Sequence, residues 1–104
     1  MKVMKPPLKI RNNNLEKIKQ IIVKTLKKHG IKKAGMFGSY VRGEQKENSD
    51  IDIIVEPPAN IGFRFAGIQL ELEEKLGKRV DLITYSYMSP YLRESILKNE
   101  VRIL

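Results

Sequence analysis

The sequence contains no cysteine and no tryptophan, and its 104 residues include a single histidine, His29. Without thiols there is no disulfide framework, no thiolate zinc site and no redox centre, so zinc-finger and disulfide-exchange chemistry are excluded from the outset. Long hydrophobic runs are missing as well. No apolar stretch is long enough to span a bilayer, and the opening MKVMKPPLKIRNNN has neither the apolar h-region nor the small-residue cleavage site of a secretory signal. The cytoplasm is the expected compartment. Low-complexity tracts are absent, which argues against disorder. Acidic residues are the scarcer charge, 12 against 20 Lys and Arg, for a formal net charge of +8. Such a balance favours polyanionic partners: nucleic acid, nucleotides or an acidic protein face. Much of the excess lies in Lys24, Lys27, Lys28, Lys32 and Lys33, which reads as a solvated helix face. Lacking interleaved aromatics, these lysines offer no base-stacking platform, and direct nucleic-acid binding is not expected.

What is present is globular: 41% hydrophobic and 31% charged residues. A chain of this size buries roughly two-thirds of its unfolded surface and builds one core. We expect an extended arm over residues 1–13, carrying Pro6 and Pro7, and a single domain over 14–104. Apolar residues at Leu15, Ile18, Ile21, Ile22 and Leu26 follow helical spacing, with an asparagine N-cap near Asn13 or Asn14 and Gly30 as the stop. The stretch 33–38 (KAGMFG) reads as a strand, 40–42 as one helical turn, and 50–55 (DIDIIV) as a strand closed by Pro57 and Pro58. A second helix over 65–76 places Ile68, Leu72 and Leu76 at intervals of four and ends at Gly77. A strand over 79–84, a helix over 90–98 opened by Ser89 and Pro90, and a short strand over 101–104 complete the chain. Alternating helices and strands indicate an α/β (α+β) fold, a small mixed β-sheet with helices packed over it. Strand order does not follow from the pattern.

The strand DIDIIV raises a chemical question. Side chains alternate across a strand, so Asp50 and Asp52 share one face while Ile51 and Ile53 share the other. Two carboxylates so placed repel each other unless something positive sits between them. The available ligands are hard oxygens, which suit Mg²⁺ or Mn²⁺. Asp81, between Val80 and Leu82, repeats the arrangement. If the two strands are adjacent and in register, three carboxylates converge, and such a cluster can hold two divalent ions about 3.5–4 Å apart across a phosphoryl displacement. An isolated D-x-D more often is a strand edge whose acids face water.

The upstream Gly38-Ser39 pair bears on that choice. Glycine lets the backbone approach a ligand closely, serine offers a hydroxyl and an N–H, and a helical turn starting there points N–H groups at an anion. Gly35, Gly38 and Gly43 fit neither the dinucleotide fingerprint nor the P-loop. A glycine-serine pair alone is more often only a turn; combined with paired acids and a third acid on a later strand it points to a phosphate site.

Gly38-Ser39, Arg42-Gly43 and Ser49-Asp50-Ile51-Asp52 resemble the signature of the DNA polymerase β nucleotidyltransferase superfamily, specifically its minimal nucleotidyltransferase (MNT) branch, and the order of elements along most of the chain is similar too. Val41 stands where the family often has alanine. The resemblance implies Asp50, Asp52 and Asp81 as metal ligands and catalytic residues, Asp81 also near the incoming nucleophile. It implies Gly38 and Ser39 as the triphosphate site, with Arg42 contacting phosphate or forming a structural ion pair. The chemistry implied is attack of a hydroxyl on the α-phosphorus of a Mg²⁺-bound nucleoside triphosphate, with two Mg²⁺ ions (or Mn²⁺) and ATP as substrate.

Larger members of the superfamily hold the acceptor in a second domain, for which this chain has no residues left, so the acceptor is expected on another chain. MNT proteins are commonly encoded with a HEPN toxin, an RNase, and some transfer AMP to a toxin tyrosine. The resemblance therefore implies an antitoxin in a hetero-oligomer with a HEPN protein. Two other readings stand beside it: neutralisation of the toxin by contact alone, and a small-molecule nucleotidyltransferase. Residues near Tyr85, Tyr87, Met88 and Tyr91 are candidates for a docking face or for ordinary packing. His29 is expected to meet the helix C-terminus or solvent rather than a metal, and Tyr40 to pack in the core rather than stack on a base.

Overall fold

A computed structural model of the protein describes residues 12–44 and 49–104. Helix α1 (Asn12–Lys28) buries Ile22 and Leu26 completely and packs Leu15 and Ile18 at the margin of the core. It begins at Asn12, slightly before the expected cap. The remainder of the expected arm, residues 1–11, lies outside the described residues, as do 45–48 of the expected polar loop. Lys27 and Lys28 complement the negative end of the helix dipole. Gly30, at φ +83°, turns the chain out of the helix.

Strand β1 (Ala34–Phe37) leads through Gly38 into the single turn α2 (Ser39–Arg42). Strand β2 (Ile51–Val55), helix α3 (Arg64–Leu76) and strand β3 (Val80–Thr84) follow. A 3₁₀ turn (Tyr85–Tyr87), helix α4 (Pro90–Asn99) and strand β4 (Val101–Arg102) close the chain. The 3₁₀ turn is the one element that periodicity does not anticipate. Among the described residues, no helix is long and apolar enough to cross a membrane.

The sheet is mixed, in the order β3-β2-β1-β4. β1 runs antiparallel to both β2 and β4, and β2 runs parallel to β3. A parallel pair needs a crossover, and α3 supplies it between β2 and β3. One face of the sheet carries Ala34, Met36, Ile51, Ile53, Val55, Val80 and Leu82, which form a common core with Ile22 and Leu26 of α1 and Ile68 and Leu72 of α3. Each large aliphatic side chain fully buried there contributes about 1.5–3 kcal/mol. The intervening residues of β2, Asp52 and Ile54, face the other way. Ile54 is buried apart from the main cluster, so only the leading end of that second face is left to the acids.

Helix α4 is capped by Ser89, whose Oγ accepts from the Leu92 N–H at 3.3 Å, yet it buries no residue. It exposes Tyr91 (94%), Leu92 and Leu97. The expected docking residues divide accordingly. Met88 is buried. Tyr85 is tied down: its hydroxyl donates to Glu100 Oε2 at 2.5 Å, and Lys33 Nζ stands 4.5 Å from its ring centroid. Burial and the Glu100 bond together push the Tyr85 hydroxyl pKa well above its ordinary value. These two are packing residues, while Tyr91 is open; the side chain of Tyr87 lies outside the description.

Candidate active site

Register brings two of the acids together. β2 and β3 place Asp52 directly opposite Asp81, and β1 places Phe37 opposite Asp52. Asp50 stands just ahead of β2, on the face of Asp52 by the two-residue alternation. Because β1 ends where β2 begins, the turn Gly38-Ser39 lies at the same end of the sheet as the carboxylates.

Gly38 and Asp52 are in close contact. A Cβ added at residue 38 would lie 2.1 Å from Asp52 Oδ2, a separation real atoms do not adopt, and Gly38 holds φ at +83°. Two constraints, space and backbone conformation, therefore demand glycine. Close backbone approach to a ligand is the sequence-level reason for glycine here; the structure adds close approach of a carboxylate. Gly38 is the N-cap of α2 and no side chain caps that turn, so its leading N–H groups are not taken up by a capping side chain.

The electrostatics follow from this crowding. The Asp52 carboxyl is pushed up from its ordinary value near 3.8 to about 6, by burial first and then by the carboxylates of Asp81 and Asp50, with Arg42 pulling the other way. Asp81 is exposed. Asp50, its side chain 44% exposed, has its Oδ1 3.7 Å from Arg79 Nε. The three acids thus share a face and a field, but among the described residues no three acidic or histidine groups are gathered at metal-binding distances. The convergence of all three that was expected is not found among the described residues; Asp50 faces Arg79. The donor set still fits a hard divalent cation: all ligands are carboxylate oxygens, and Asp52, costly to ionise between two other acids, is the group such a cation would relieve.

Residues 15–103 match the nucleotidyltransferase domain family. The chain belongs to this family. A Methanocaldococcus jannaschii protein, by name a protein adenylyltransferase, is 47% identical over 92 residues, spanning 88% of this chain and 99% of the relative. The protein adenylyltransferase MntA of Thermococcus cleftensis is 40% identical over 98 residues, spanning 86% and 95%. Among solved structures, a minimal nucleotidyltransferase superposes with TM-score 0.77 at 29% identity, covering 91% of this chain and 98% of its own. A toxin-antitoxin complex with AMP-PNP contains a chain matched at TM-score 0.70 and 28% identity, covering 83% and 72%. The protein is thus an enzyme, a nucleotidyltransferase of the minimal type, as its motif resemblance implies.

The other residues singled out in the sequence lie in different parts of the fold. Arg42 lies close enough to act on Asp52, while its Nε donates to Glu44 Oε1 at 3.0 Å. Tyr40 is 3% exposed and belongs to the core. His29 is a correction: it does not simply meet the helix end or solvent, because its Nε2 lies 2.8 Å from Glu71 Oε1 on α3. That contact crosses 42 residues of sequence, which no local pattern reveals. Arg79 was not anticipated at all, although period-two counting back from Asp81 puts it on the acid face.

Proposed function

We propose that this nucleotidyltransferase transfers AMP from ATP to a tyrosine hydroxyl of a HEPN toxin, as an antitoxin. The observation that carries the reading is the row Asp52 opposite Asp81 beside the Gly38-Ser39 turn, which combines a polarised acidic face with an anion-accepting turn. The toxin-antitoxin neighbour with bound AMP-PNP supports both the nucleotide and the kind of partner.

In this reading Gly38 and Ser39 hold the triphosphate tail through backbone N–H groups and the serine hydroxyl. Asp50, Asp52 and Asp81 would hold Mg²⁺, which when bound neutralises phosphate charge and makes the attacking hydroxyl easier to deprotonate. Asp81, exposed on the edge strand, is the acid an acceptor hydroxyl reaches from outside, and its carboxylate takes the proton. The tyrosine oxygen bonds to the α-phosphorus, the bond from that phosphorus to the α–β bridging oxygen breaks, and pyrophosphate leaves. Because Arg42 also acts on Asp52, it favours the ionised form of the acid that burial disfavours.

Docking falls to α4, which buries none of its residues and leaves Tyr91, Leu92 and Leu97 exposed. Incubation with α-labelled ATP, Mg²⁺ and a HEPN-domain protein as the candidate acceptor tests the whole reading. Label is expected on the toxin, lost when its acceptor tyrosine is replaced by phenylalanine or when Asp52→Asn is introduced here. A tight complex that never takes up label would leave neutralisation by contact alone; label on a small acceptor would make the protein a small-molecule nucleotidyltransferase.

A further inference from the structure

We propose that Arg79 is the internal counter-cation of the acidic face: it holds Asp50 until a divalent cation takes its place, and then turns to the phosphates of the nucleotide. The proposal rests on the nucleotidyltransferase reading of the same site and assigns a cation-exchange and phosphate-binding role to a residue outside the family motif.

The backbone sets Arg79 where it must be. Its carbonyl accepts from the Ile51 N–H at 2.9 Å, one rung ahead of the Ile51–Val80 pair, so residue 79 stands abreast of Asp50. Alternation then gives two successive rows on one face, Asp50 with Arg79 and Asp52 with Asp81. The side chain is held far less firmly than the backbone. Its Nε is 3.7 Å from Asp50 Oδ1, beyond hydrogen-bond distance, with the two side chains 85% and 44% exposed. A screened ion pair of this kind is worth little and opens readily. Arg42 differs, since its Nε donates to Glu44 at 3.0 Å. Arg79 is therefore ion-paired to one of the site's own acids, and its planar fork suits phosphate oxygens once released.

A linkage follows. Cation and Arg79 compete for Asp50, while Asp50 and the nucleotide compete for Arg79, so cation and nucleotide strengthen each other's binding. The device keeps the acids neutralised before substrate arrives and loads the two together.

The test measures Mn²⁺ binding by titration of the protein alone, then with a non-hydrolysable ATP analogue, without any turnover. Arg79→Gln is compared with Arg102→Gln, which removes the same charge on the opposite edge strand. Arg79→Gln is expected to bind Mn²⁺ about two- to fivefold more tightly than Arg102→Gln, and to lose most of the tightening that the analogue confers. Arg79→Lys keeps the charge without the fork, so Mn²⁺ affinity stays near wild type while the tightening weakens. Equal Mn²⁺ affinity in the two glutamine variants, or an undiminished effect of the analogue in Arg79→Gln, overturns the role of Arg79. If Asp52→Asn binds Mn²⁺ as well as wild type, the cation site itself is wrong and the proposal falls with it. Melting temperatures identify any variant that has lost its fold, for which Arg79→Lys remains the deciding comparison.

Discussion

The Asp52 carboxylate occupies the space in which a side chain on residue 38 would begin, with Oδ2 2.1 Å from an added Cβ. One glycine therefore does two things: it shapes the entry to α2 and leaves room for the central acid of the site. The obstructing atom is the end of a side chain, so a substitution there displaces Asp52 rather than the backbone of β2.

For Gly38→Ala this separates stability from activity. The positive φ costs on the order of 1–3 kcal/mol, and the fold survives. The displaced carboxylate does not, so AMP transfer is expected to fall at least a hundredfold. A thermal melt beside a labelled-ATP transfer assay checks both, and an active Gly38→Ala variant would contradict the importance of the contact.

Asp52 gives a pH dependence of definite sign. Its folded-state value, raised to about 6 from 3.8, means that the native protein holds a proton the unfolded chain has already released between those pH values. Stability therefore declines as pH rises through that window. Asp52→Asn is expected to be more stable than wild type at pH 7.5, by on the order of 1 kcal/mol after allowing for solvent screening, with the advantage gone at pH 4. Denaturant unfolding of both proteins at the two pH values decides it.

The order of elements was legible because apolar spacing and the Gly and Pro stops mark each one locally; β2, β3 and α3 differ from expectation by one residue at one end, β1 by one at each end, and β4 stops at Arg102, two residues short. The 3₁₀ turn escaped because Tyr85, Ser86 and Tyr87 carry no periodic signal. The acids were legible as three residues, but the pairing of Asp52 with Asp81 depends on strand order, which is a property of the whole sheet. The contact between Gly38 and Asp52 and the pair His29 with Glu71 were hidden for the same reason. Arg79 carries the same period-two signal as Asp81, two residues earlier on the same face.

Glu71 staples α1 to α3 by accepting from Lys28, from His29 and, at 2.9 Å, from Lys75. These bonds, Lys28 first and then His29 and Lys75, hold its carboxyl down at about 2. A lowered carboxyl adds stability that is complete above the unfolded value near 4.5 and is lost as pH falls through about 2. Glu71→Gln is accordingly expected to melt below wild type at pH 7 and to match it near pH 2. A constant difference across that range would mean that the effect is packing rather than charge.

The last prediction concerns α4. Since it buries none of its residues, replacing Tyr91 or Leu92 with glutamate is expected to change stability by less than about 0.5 kcal/mol. If this helix is the docking face, the same changes remove an aromatic or aliphatic anchor and place a charge in an apolar contact, weakening toxin binding by at least about tenfold. Titration of each variant against the HEPN protein, with wild-type melting behaviour as the control, reads the effect. Undiminished binding by the Tyr91→Glu, Leu92→Glu double variant would move the interface elsewhere, and the exposed apolar side chains of α4 would then need another occupant.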